Sequence, residues 1–298
     1  MFHVHAINSL AVMSTIIGKL LGKAVVLKAV GAWELDDGVL NPVRQRQLLY
    51  RWQLAILKQA DAWVAVSDHL HGAMIAAGVP PCRIVTIPNG VDIIHFTPGK
   101  SVATQTAPIL QVIFVGRLVK EKGLPILLQA WVTVSQCVKD AALHIVGGGP
   151  LKLELQTLAD RLGVVASVHF HGHQQMVLPF LQSSQLFVLS SYVEGLSNTL
   201  LEAMAVGLPV VATRISGSED IVLVGENGLL VPPGDAEALA EAIMSILRDP
   251  TRAAIMGQRG RQLVEQRCGL AHITDNYVQL YARIVKDGAR SCAASPVL

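Results

Sequence analysis

The chain has 298 residues, of which 51% are hydrophobic and only 15% are charged, and its formal net charge is +2. This length allows two domains of ordinary size. So small a charge argues against a nucleic-acid partner, because nucleic-acid-binding domains usually carry a strong basic patch. The four cysteines are far apart and form no C-x-x-C pair, which indicates neither a disulfide framework nor a zinc site. No apolar run of about 18 residues predicts a membrane span.

In chain order, short apolar runs bounded by turn residues alternate with segments of helical spacing, which is the βαβ pattern of doubly wound parallel sheets. The predicted fold class is therefore α/β. The predicted strands are a first run within FHVHAINSL and then residues 24–30, 62–67, 83–88, 110–116, 142–147, 167–172, 186–191, 209–213 and 228–233. Asp235 is predicted to cap a helix, and two further helices are predicted at about 251–266 and 271–287.

The clearest break in this pattern is DIIHFTPGKSVATQTAP, which is rich in Pro, Gly, Ser and Thr and reads as an interdomain linker. We predict a first domain at 1–95, a linker at 96–108, a second domain at 109–270, and a returning helix with a loose tail at 271–298. Six predicted strands follow the linker and only three or four precede it. Because a parallel sheet rarely begins directly in a strand-like run, the first domain is expected to be incomplete.

The segment FVGRLVKEKG places two cations after a predicted strand: Gly116 ends the strand, Arg117 follows at once, and Lys122 lies five residues on. Ligands of open α/β sheets bind at the carboxyl ends of strands. Two cations beside a glycine turn suit an anionic group there, above all a phosphate. The alternative is a solvated turn in which Arg117 pairs with a carboxylate.

The segment HIVGGGPL places three glycines after another predicted strand. The dinucleotide fingerprint G-x-G-x-x-G fails, because Lys152 stands where its third glycine would be. We interpret the segment as a tight turn that lets chain and ligand approach closely.

Three groups of histidines have i, i+2 spacing, which in a strand places them on one face: His3/His5, His69/His71 and His169/His171/His173. No nearby cysteine or carboxylate completes a ligand set, so no metal site is predicted. Since His173 follows a predicted strand end at Gly172, we expect it to lie near a ligand.

In EGLSNTLLEAMAVG, either Ser197 or Asn198 can cap a helix that Gly207 ends. The backbone N–H groups of Gly195 to Thr199 would then form a helix N-terminus at the carboxyl end of a strand. Such an N-terminus is suited to an anion.

Two acids lie close to that helix start: Glu194 shortly before it and Glu202 one turn inside the helix. A buried acid without a partner is costly, so Glu202 is expected to have a hydrogen-bonding partner. The alternative to a ligand-binding role is that an arginine or a backbone group simply satisfies Glu202.

Together, GRLVKEKG, IVGGGP and EGLSNTLLEAMAVGLPVVAT resemble the motifs G-R-x₄-K-G, V-G-x-G-P and E-G-x₇-E of the group 1 family of retaining glycosyltransferases. PNGVDIIHFTP resembles the linker motif of the same family. The four segments lie in the family's order within residues 84–235. The resemblance implies the GT-B fold, with two Rossmann-like, doubly wound parallel-sheet domains, the first of which is truncated in this chain.

The resemblance also implies roles for individual residues. Arg117, Lys122 and Glu194 would be catalytic, the two cations on the donor's diphosphate and the acid on hydroxyls of the donor sugar. Glu202 would bind the nucleotide ribose, and His173 and Gln174 in the turn after Gly172 would line the base pocket. The residues implied to bind the donor are Gly116, Gly195, Leu196, Ser197, Asn198, Thr199, Glu202, His173 and Gln174.

The implied activity is metal-independent, cofactor-free transfer of a sugar from a nucleotide-diphosphate sugar, with retention of configuration, to a saccharide or lipid-linked saccharide of a surface polysaccharide. The expected place is the cytoplasm, with peripheral contact at the inner membrane face when the acceptor is a lipid. Nothing matches the family's N-terminal Gly-rich loop, and Val30 stands where many members have a histidine. The alternative is therefore a truncated, donor-nucleotide-binding relative with little or no transferase activity.

Overall fold

The computed structural model describes residues 1–31, 34, 38–99 and 110–287, and these form two compact units. Unit 1 comprises Met1–Asn89, Glu194–Leu196 and the chain from Ala271 on, whereas unit 2 comprises Gly90–Val193 and Ser197–Leu270. Most of the predicted linker, residues 100–108, and the predicted tail after residue 287 lie outside the described residues. The predicted domain boundaries stay a prediction.

Unit 1 contains a parallel four-stranded sheet in the order β1-β2-β3-β4. Strands β2 and β3 are buried along their whole length, which is why their sequences read as continuous apolar runs rather than as alternating ones. The strands are β1 (Phe2–His5), β2 (Val25–Lys28), β3 (Ala62–Ala65) and β4 (Ile84–Thr86), and the helices that precede β4 are α1 (Ser9–Leu20), α2 (Leu48–Leu57) and α3 (Asp68–Ala76).

Side-chain hydrogen bonds define the start of α1 and hold its far end. The side chain of Asn8 accepts a hydrogen bond from the N–H of Leu10 at 2.9 Å, which caps the helix. Near the other end, the Lys19 ammonium lies 2.8 Å from one carboxylate oxygen of Asp61, and the N–H of Val25 donates to the other at 2.8 Å. One buried carboxylate therefore joins α1, the start of β2 and the turn before β3.

Unit 2 contains a parallel six-stranded sheet in the order β10-β9-β8-β5-β6-β7. The strands are β5 (Leu110–Val115), β6 (Ala141–Val146), β7 (Val168–Gly172), β8 (Leu186–Leu189), β9 (Val210–Thr213) and β10 (Gly228–Val231). The helices of unit 2 are α4 (Leu124–Cys137), α5 (Lys152–Arg161), α6 (Leu178–Ser183), α7 (Asn198–Val206), α8 (Ser216–Glu219), α9 (Ala236–Leu247) and α10 (Pro250–Arg267). The next helix, α11 (Leu270–Asp287), belongs to unit 1 from Ala271 on.

The core of unit 2 lies where α4 and α9 pack on the sheet. Phe114 and Trp131 are fully buried there, and the indole N–H of Trp131 donates to the Ser167 hydroxyl at 3.0 Å, so its burial leaves no unpaired donor. On the other side of the unit, α10 crosses α7 so closely that a methyl group added to Gly257 would collide with the carbonyl oxygen of Gly207. The glycine permits this approach of two backbones.

The predicted α/β architecture with two parallel sheets is confirmed, and each predicted strand is found within a few residues of its expected bounds. His69 and His71 do not share a strand face, because both lie in α3, whose start is capped by the Ser67 side chain. Cys82 is disulfide-bonded, which the cysteine spacing did not indicate. No helix in the described ranges is both long and apolar enough to cross a bilayer.

Candidate functional site

The strand order of unit 2 creates a switch point between β5 and β8. From β5 the chain proceeds outward through β6 to β7, whereas from β8 it proceeds in the opposite direction through β9 to β10. Ligands of open α/β sheets bind in the crevice outside the carboxyl ends of the strands at such a point. The segments that follow β5 and β8 therefore border the expected ligand crevice of this unit.

Gly116 and Arg117 follow β5 directly. The N–H of Gly116 still donates to the carbonyl of Val146 at 3.0 Å, so the sheet holds this turn. The Arg117 side chain is exposed and has no hydrogen-bond or ion-pair partner in the part of the chain that the structure describes. The alternative in which Arg117 pairs with a carboxylate is therefore not observed.

Lys122 ends a short 3-10 turn, Lys120–Lys122, and its side chain reaches back over Gly116. A methyl group added to Gly116 would lie 3.8 Å from the Cε atom of Lys122. The Ser190 hydroxyl donates to the carbonyl of Lys122 at 2.9 Å, and a side chain on Gly123, whose φ is +63°, would collide with the Ser190 carbonyl. The turn after β5 is thus fixed on the segment after β8, at the switch point.

The glycine turn after β6 packs directly on the turn after β5. A methyl group added to Gly147, whose φ is +146°, would collide with the Gly116 carbonyl oxygen. The N–H of Leu118 donates to the carbonyl of Gly148 at 2.9 Å. The interpretation of HIVGGGPL as a turn that permits close approach of the chain is confirmed, and its glycines support the position of Arg117.

His173 and Gln174 follow β7, whose last residue, Gly172, accepts a hydrogen bond from the N–H of Gly147 at 2.8 Å. The His173 side chain is exposed and lies beside Gly148, where an added methyl group would be 3.5 Å from the His173 Cβ. The side-chain amide of Gln174 donates to the His171 carbonyl at 2.8 Å. The turns after β5, β6 and β7 therefore form one connected edge.

Helix α7 begins shortly after β8. Ser197 is its N-cap, because the Ser197 hydroxyl oxygen accepts from the N–H of Leu200 at 3.4 Å, and Asn198 is the first helical residue. The Thr199 hydroxyl lies 3.1 Å from the Ser197 hydroxyl, and Gly207 ends the helix with a φ of +86°. The N–H groups of Asn198 and Thr199 have no partner in the preceding turn, which is the arrangement that favours an anion.

Glu202 lies one turn into α7 and is half-buried. The expectation that it has a hydrogen-bonding partner is wrong, since its carboxylate has none among the described residues. Burial without compensation raises the pKa of Glu202 to about 7. This carboxylate is therefore available to accept hydrogen bonds from a ligand hydroxyl.

Glu194, Gly195 and Leu196 group with unit 1 rather than with unit 2. Within unit 1, a methyl group added to Gly195 would lie 2.9 Å from the Val30 carbonyl oxygen. The side-chain amide of Asn89 donates to the Leu196 carbonyl at 3.0 Å. These three residues are thus held by backbone contact and by one side-chain hydrogen bond.

Glu34 and Asn89 support this segment, and sequence reasoning assigned a role to neither. The fully buried Glu34 carboxylate accepts from the N–H groups of Val30 and Gly31, each at 3.0 Å, while burial raises its pKa. Glu34 therefore shapes the turn on which Gly195 packs. An acid in the largely apolar run KAVGAWEL and the asparagine of PNGVD were the available signals.

One histidine outside the three groups, His144, lies beside His169 and His171. His144 on β6 lies with its Nδ1 2.9 Å from the Nε2 of His171 on β7, and burial together with the neighbouring His171 and His169 lowers the pKa of His144 to about 4. In the described ranges, no group of three His, Cys, Asp or Glu side chains is placed to hold a metal ion.

Two family models match the chain, Glycosyl transferases group 1 over residues 106–263 and Glycosyltransferase Family 4 over residues 1–95. A lipopolysaccharide core biosynthesis glycosyltransferase, LpsE of Rhizobium meliloti, is 38% identical over 59% of this chain and 50% of the relative. A GDP-mannose-dependent alpha-(1-6)-phosphatidylinositol monomannoside mannosyltransferase of Mycobacterium tuberculosis is 31% identical over 83% of this chain and 66% of the relative.

The chain spans about half the length of the curated relatives it matches. Among solved structures, Anabaena Alr3699/HepE in complex with UDP matches 94% of this chain and 78% of its own, with a TM-score of 0.83 at 23% sequence identity. The likeness in fold and the family model that covers residues 106–263 agree with each other. This chain belongs to the group 1 glycosyl transferases and has their GT-B fold.

Proposed function

We propose that the chain is part of a retaining glycosyltransferase that moves a sugar from a nucleoside-diphosphate sugar to a saccharide or lipid-linked saccharide of a surface polysaccharide. The observation that carries the proposal is the arrangement at the switch point of unit 2. There Arg117, the side chain of Lys122 and the N-terminus of α7 follow adjacent strands, with Glu202 one turn inside the helix. Among the described residues, neither Arg117 nor the Glu202 carboxylate has a partner. Cations and free amides suit a diphosphate, and a carboxylate suits a ribose.

In this proposal Arg117 and Lys122 bind the donor diphosphate, and the N–H groups at the start of α7 donate to it. The bond between the anomeric carbon and the diphosphate oxygen breaks while the acceptor hydroxyl attacks from the same face. The proton of that hydroxyl passes to the leaving phosphate. Because the two cations and the amides stabilise the charge that develops on the diphosphate, the step requires neither a metal ion nor a protein base.

The remaining residues orient the donor. Glu202 accepts hydrogen bonds from the ribose hydroxyls, His173 and Gln174 border the base, and Glu194 contacts hydroxyls of the transferred sugar. His173 lies on the same connected edge as Gly116, which supports its assignment to the donor site. The names of the relatives support the substrate class, since one acts in lipopolysaccharide core biosynthesis and the other is a phosphatidylinositol monomannoside mannosyltransferase. The proposed place of action is the cytoplasm, at the inner membrane face for a lipid-linked acceptor.

Ligand-induced thermal stabilisation tests the donor site. At a ligand concentration of 100 times Kd, binding stabilises the folded protein by about 2.7 kcal/mol, so UDP or GDP should raise the unfolding temperature measurably. Glu202→Ala should abolish most of this rise. Glu241→Ala is the matched control, because Glu241 is an exposed acid on α9 of the same unit and has no partner in the described part of the chain. No stabilisation of the unmodified protein by any nucleoside diphosphate would contradict the donor assignment.

Turnover is measured separately as release of nucleoside diphosphate from a panel of sugar donors in the presence of saccharide acceptors. Release that depends on Arg117 supports the transferase. Stabilisation by nucleotide without release would instead indicate a donor-binding relative that does not transfer.

A further inference from the structure

Strand β7 of unit 2 carries one extra residue near its carboxyl end. Phe170 and Gly172 pair with consecutive residues of β6, so His171, which lies between them, has no counterpart on that strand. A bulge of this kind bends its strand and changes the direction of the residues that follow it. Here the residues that follow are His173 and Gln174, which border the base in the proposed donor site. We call these two residues the base turn.

Three contacts hold the extra residue in place. The Nε2 atom of His171 lies 2.9 Å from the Nδ1 atom of His144 on β6. The Phe180 ring of α6 packs edge-on against the His171 ring, with 4.9 Å between the ring centroids. The backbone carbonyl of His171 accepts a hydrogen bond from the side-chain amide of Gln174 at 2.8 Å. The bulge is therefore connected to the neighbouring strand through its side chain and to the base turn through its backbone.

The two histidine rings can form a hydrogen bond because both are neutral near pH 7. A neutral imidazole has one nitrogen that donates and one that accepts, whereas two protonated rings would turn N–H groups and positive charges toward each other. Burial and the neighbouring histidines lower the pKa of His144 to about 4, and burial together with His169 also lowers the pKa of His171. His169 is exposed and has no hydrogen-bond partner among the described residues. The link between the strands therefore consists of His144 and His171.

We infer that His144 and His171 are positioning residues of the donor site, because they hold the bulge that directs the base turn at the nucleobase. The cations proposed to bind the diphosphate, Arg117 and Lys122, follow β5 rather than β6 or β7. The histidine pair should therefore change only the part of the nucleotide affinity that the base contributes. The inference rests on the proposed function and adds to it two residues that determine how strongly the base is recognised. If the pair only stabilised the edge strand, its loss would lower the unfolding temperature without changing ligand selectivity.

Calorimetric titration at pH 7 with UDP, GDP and inorganic pyrophosphate separates the contribution of the base from that of the diphosphate. The nucleotide that the unmodified protein binds more tightly is used for the variants. His144→Val should weaken its binding by about three- to tenfold, the effect of one lost hydrogen bond, and should leave the affinity for pyrophosphate unchanged. His144→Asn should restore most of the nucleotide affinity, because the asparagine amide places a hydrogen-bonding atom near the position of Nδ1.

His169→Val is the matched control, because His169 lies beside His144 on the same pair of strands but outside the hydrogen bond. It should leave both affinities unchanged. Phe180→Leu removes the contact that α6 makes with the His171 ring and should produce the same selective loss of nucleotide affinity. Thermal unfolding is recorded for each variant, and Phe180→Leu decides the question if His144→Val does not fold.

The inference is overturned if His144→Val binds nucleotide as tightly as the unmodified protein does, or if it loses nucleotide and pyrophosphate affinity equally. It is also overturned if His144→Asn binds no better than His144→Val, or if His169→Val shows the same loss. An unmodified protein that binds pyrophosphate as tightly as either nucleotide would show that no base is recognised. Failure of the donor site itself is a different result, in which the unmodified protein binds neither pyrophosphate nor nucleotide, and the inference falls with it.

Discussion

The half-buried Glu202 should make nucleotide affinity depend on pH. Burial without a compensating partner raises the pKa of this carboxyl to about 7, so in the free protein its ionised fraction is about a tenth at pH 6 and about nine tenths at pH 8. A ribose hydroxyl donates its hydrogen bond to the ionised form. If only that form binds, the affinity for UDP should rise about tenfold between pH 6 and pH 8, which corresponds to about 1.4 kcal/mol.

The assay is calorimetric titration of UDP at several pH values, with Glu202→Gln as the reference. Glutamine keeps an acceptor oxygen at nearly the same place but does not titrate. The terminal phosphate of UDP also titrates, with a pKa near about 6, and it does so equally with either protein. The ratio of the two affinities therefore isolates the contribution of Glu202.

Two results would refute this reasoning. If the two proteins have the same pH profile, Glu202 does not touch the nucleotide. If the UDP affinity of the unmodified protein relative to that of Glu202→Gln is instead higher at pH 6 than at pH 8, the protonated carboxyl is the bound form and donates its own hydrogen bond. In either case the ribose assignment would need to be replaced.

Two further predictions concern stability and are read from thermal unfolding. Gly257→Ala should lower the free energy of unfolding by about 1–3 kcal/mol, because its methyl group would collide with the Gly207 carbonyl. Gly72→Ala in α3 should instead raise it by about 1 kcal/mol, because the added methyl group meets nothing within 4 Å. Equal shifts would refute the close approach of α10 to α7. Asp61→Ala should lower the free energy of unfolding by about 2–3 kcal/mol, since it removes the partner of Lys19 and of the Val25 N–H. Asp61→Asn should lower it less. An Asp61→Ala protein as stable as the unmodified one would contradict the structure.

The strands could be predicted from the sequence because most of them are buried on both faces and bounded by turn residues. The run at 186–191, for example, is β8 at Leu186–Leu189. An i, i+2 pair of histidines such as His69 and His71 does not distinguish a strand from a helix, and these two lie in α3. The serine before them, whose side chain accepts from the N–H of Leu70, was the local signal for a helix start.

The site could be predicted only in part, for a different reason. Short motifs indicate which turns carry cations and which helix start can bind an anion, since each of these features is local. The pairing of β5 with β8 brings Val112 beside Leu186, and no local pattern reveals that register. The strand order, and with it the switch point, therefore required the structure. So did the role of Asn89, whose partner, the Leu196 carbonyl, is far away in the sequence.

The sequence predicts a hydrogen-bonding partner for Glu202, and among the described residues its carboxylate has none. Stability alone predicts that a buried acid has a hydrogen-bond donor as its partner. The same unit contains Arg117, an exposed cation that has no partner among the residues that the structure describes. An ion pair between the two would relieve both, yet it would occupy the groups that the proposed donor needs. Leaving a carboxylate half-buried and uncompensated destabilises the free protein and favours a ligand that brings hydroxyl donors. Local rules are expected to break at binding sites for this reason, and the unpaired acid marks the ribose side of the proposed site more specifically than the motif that contains it.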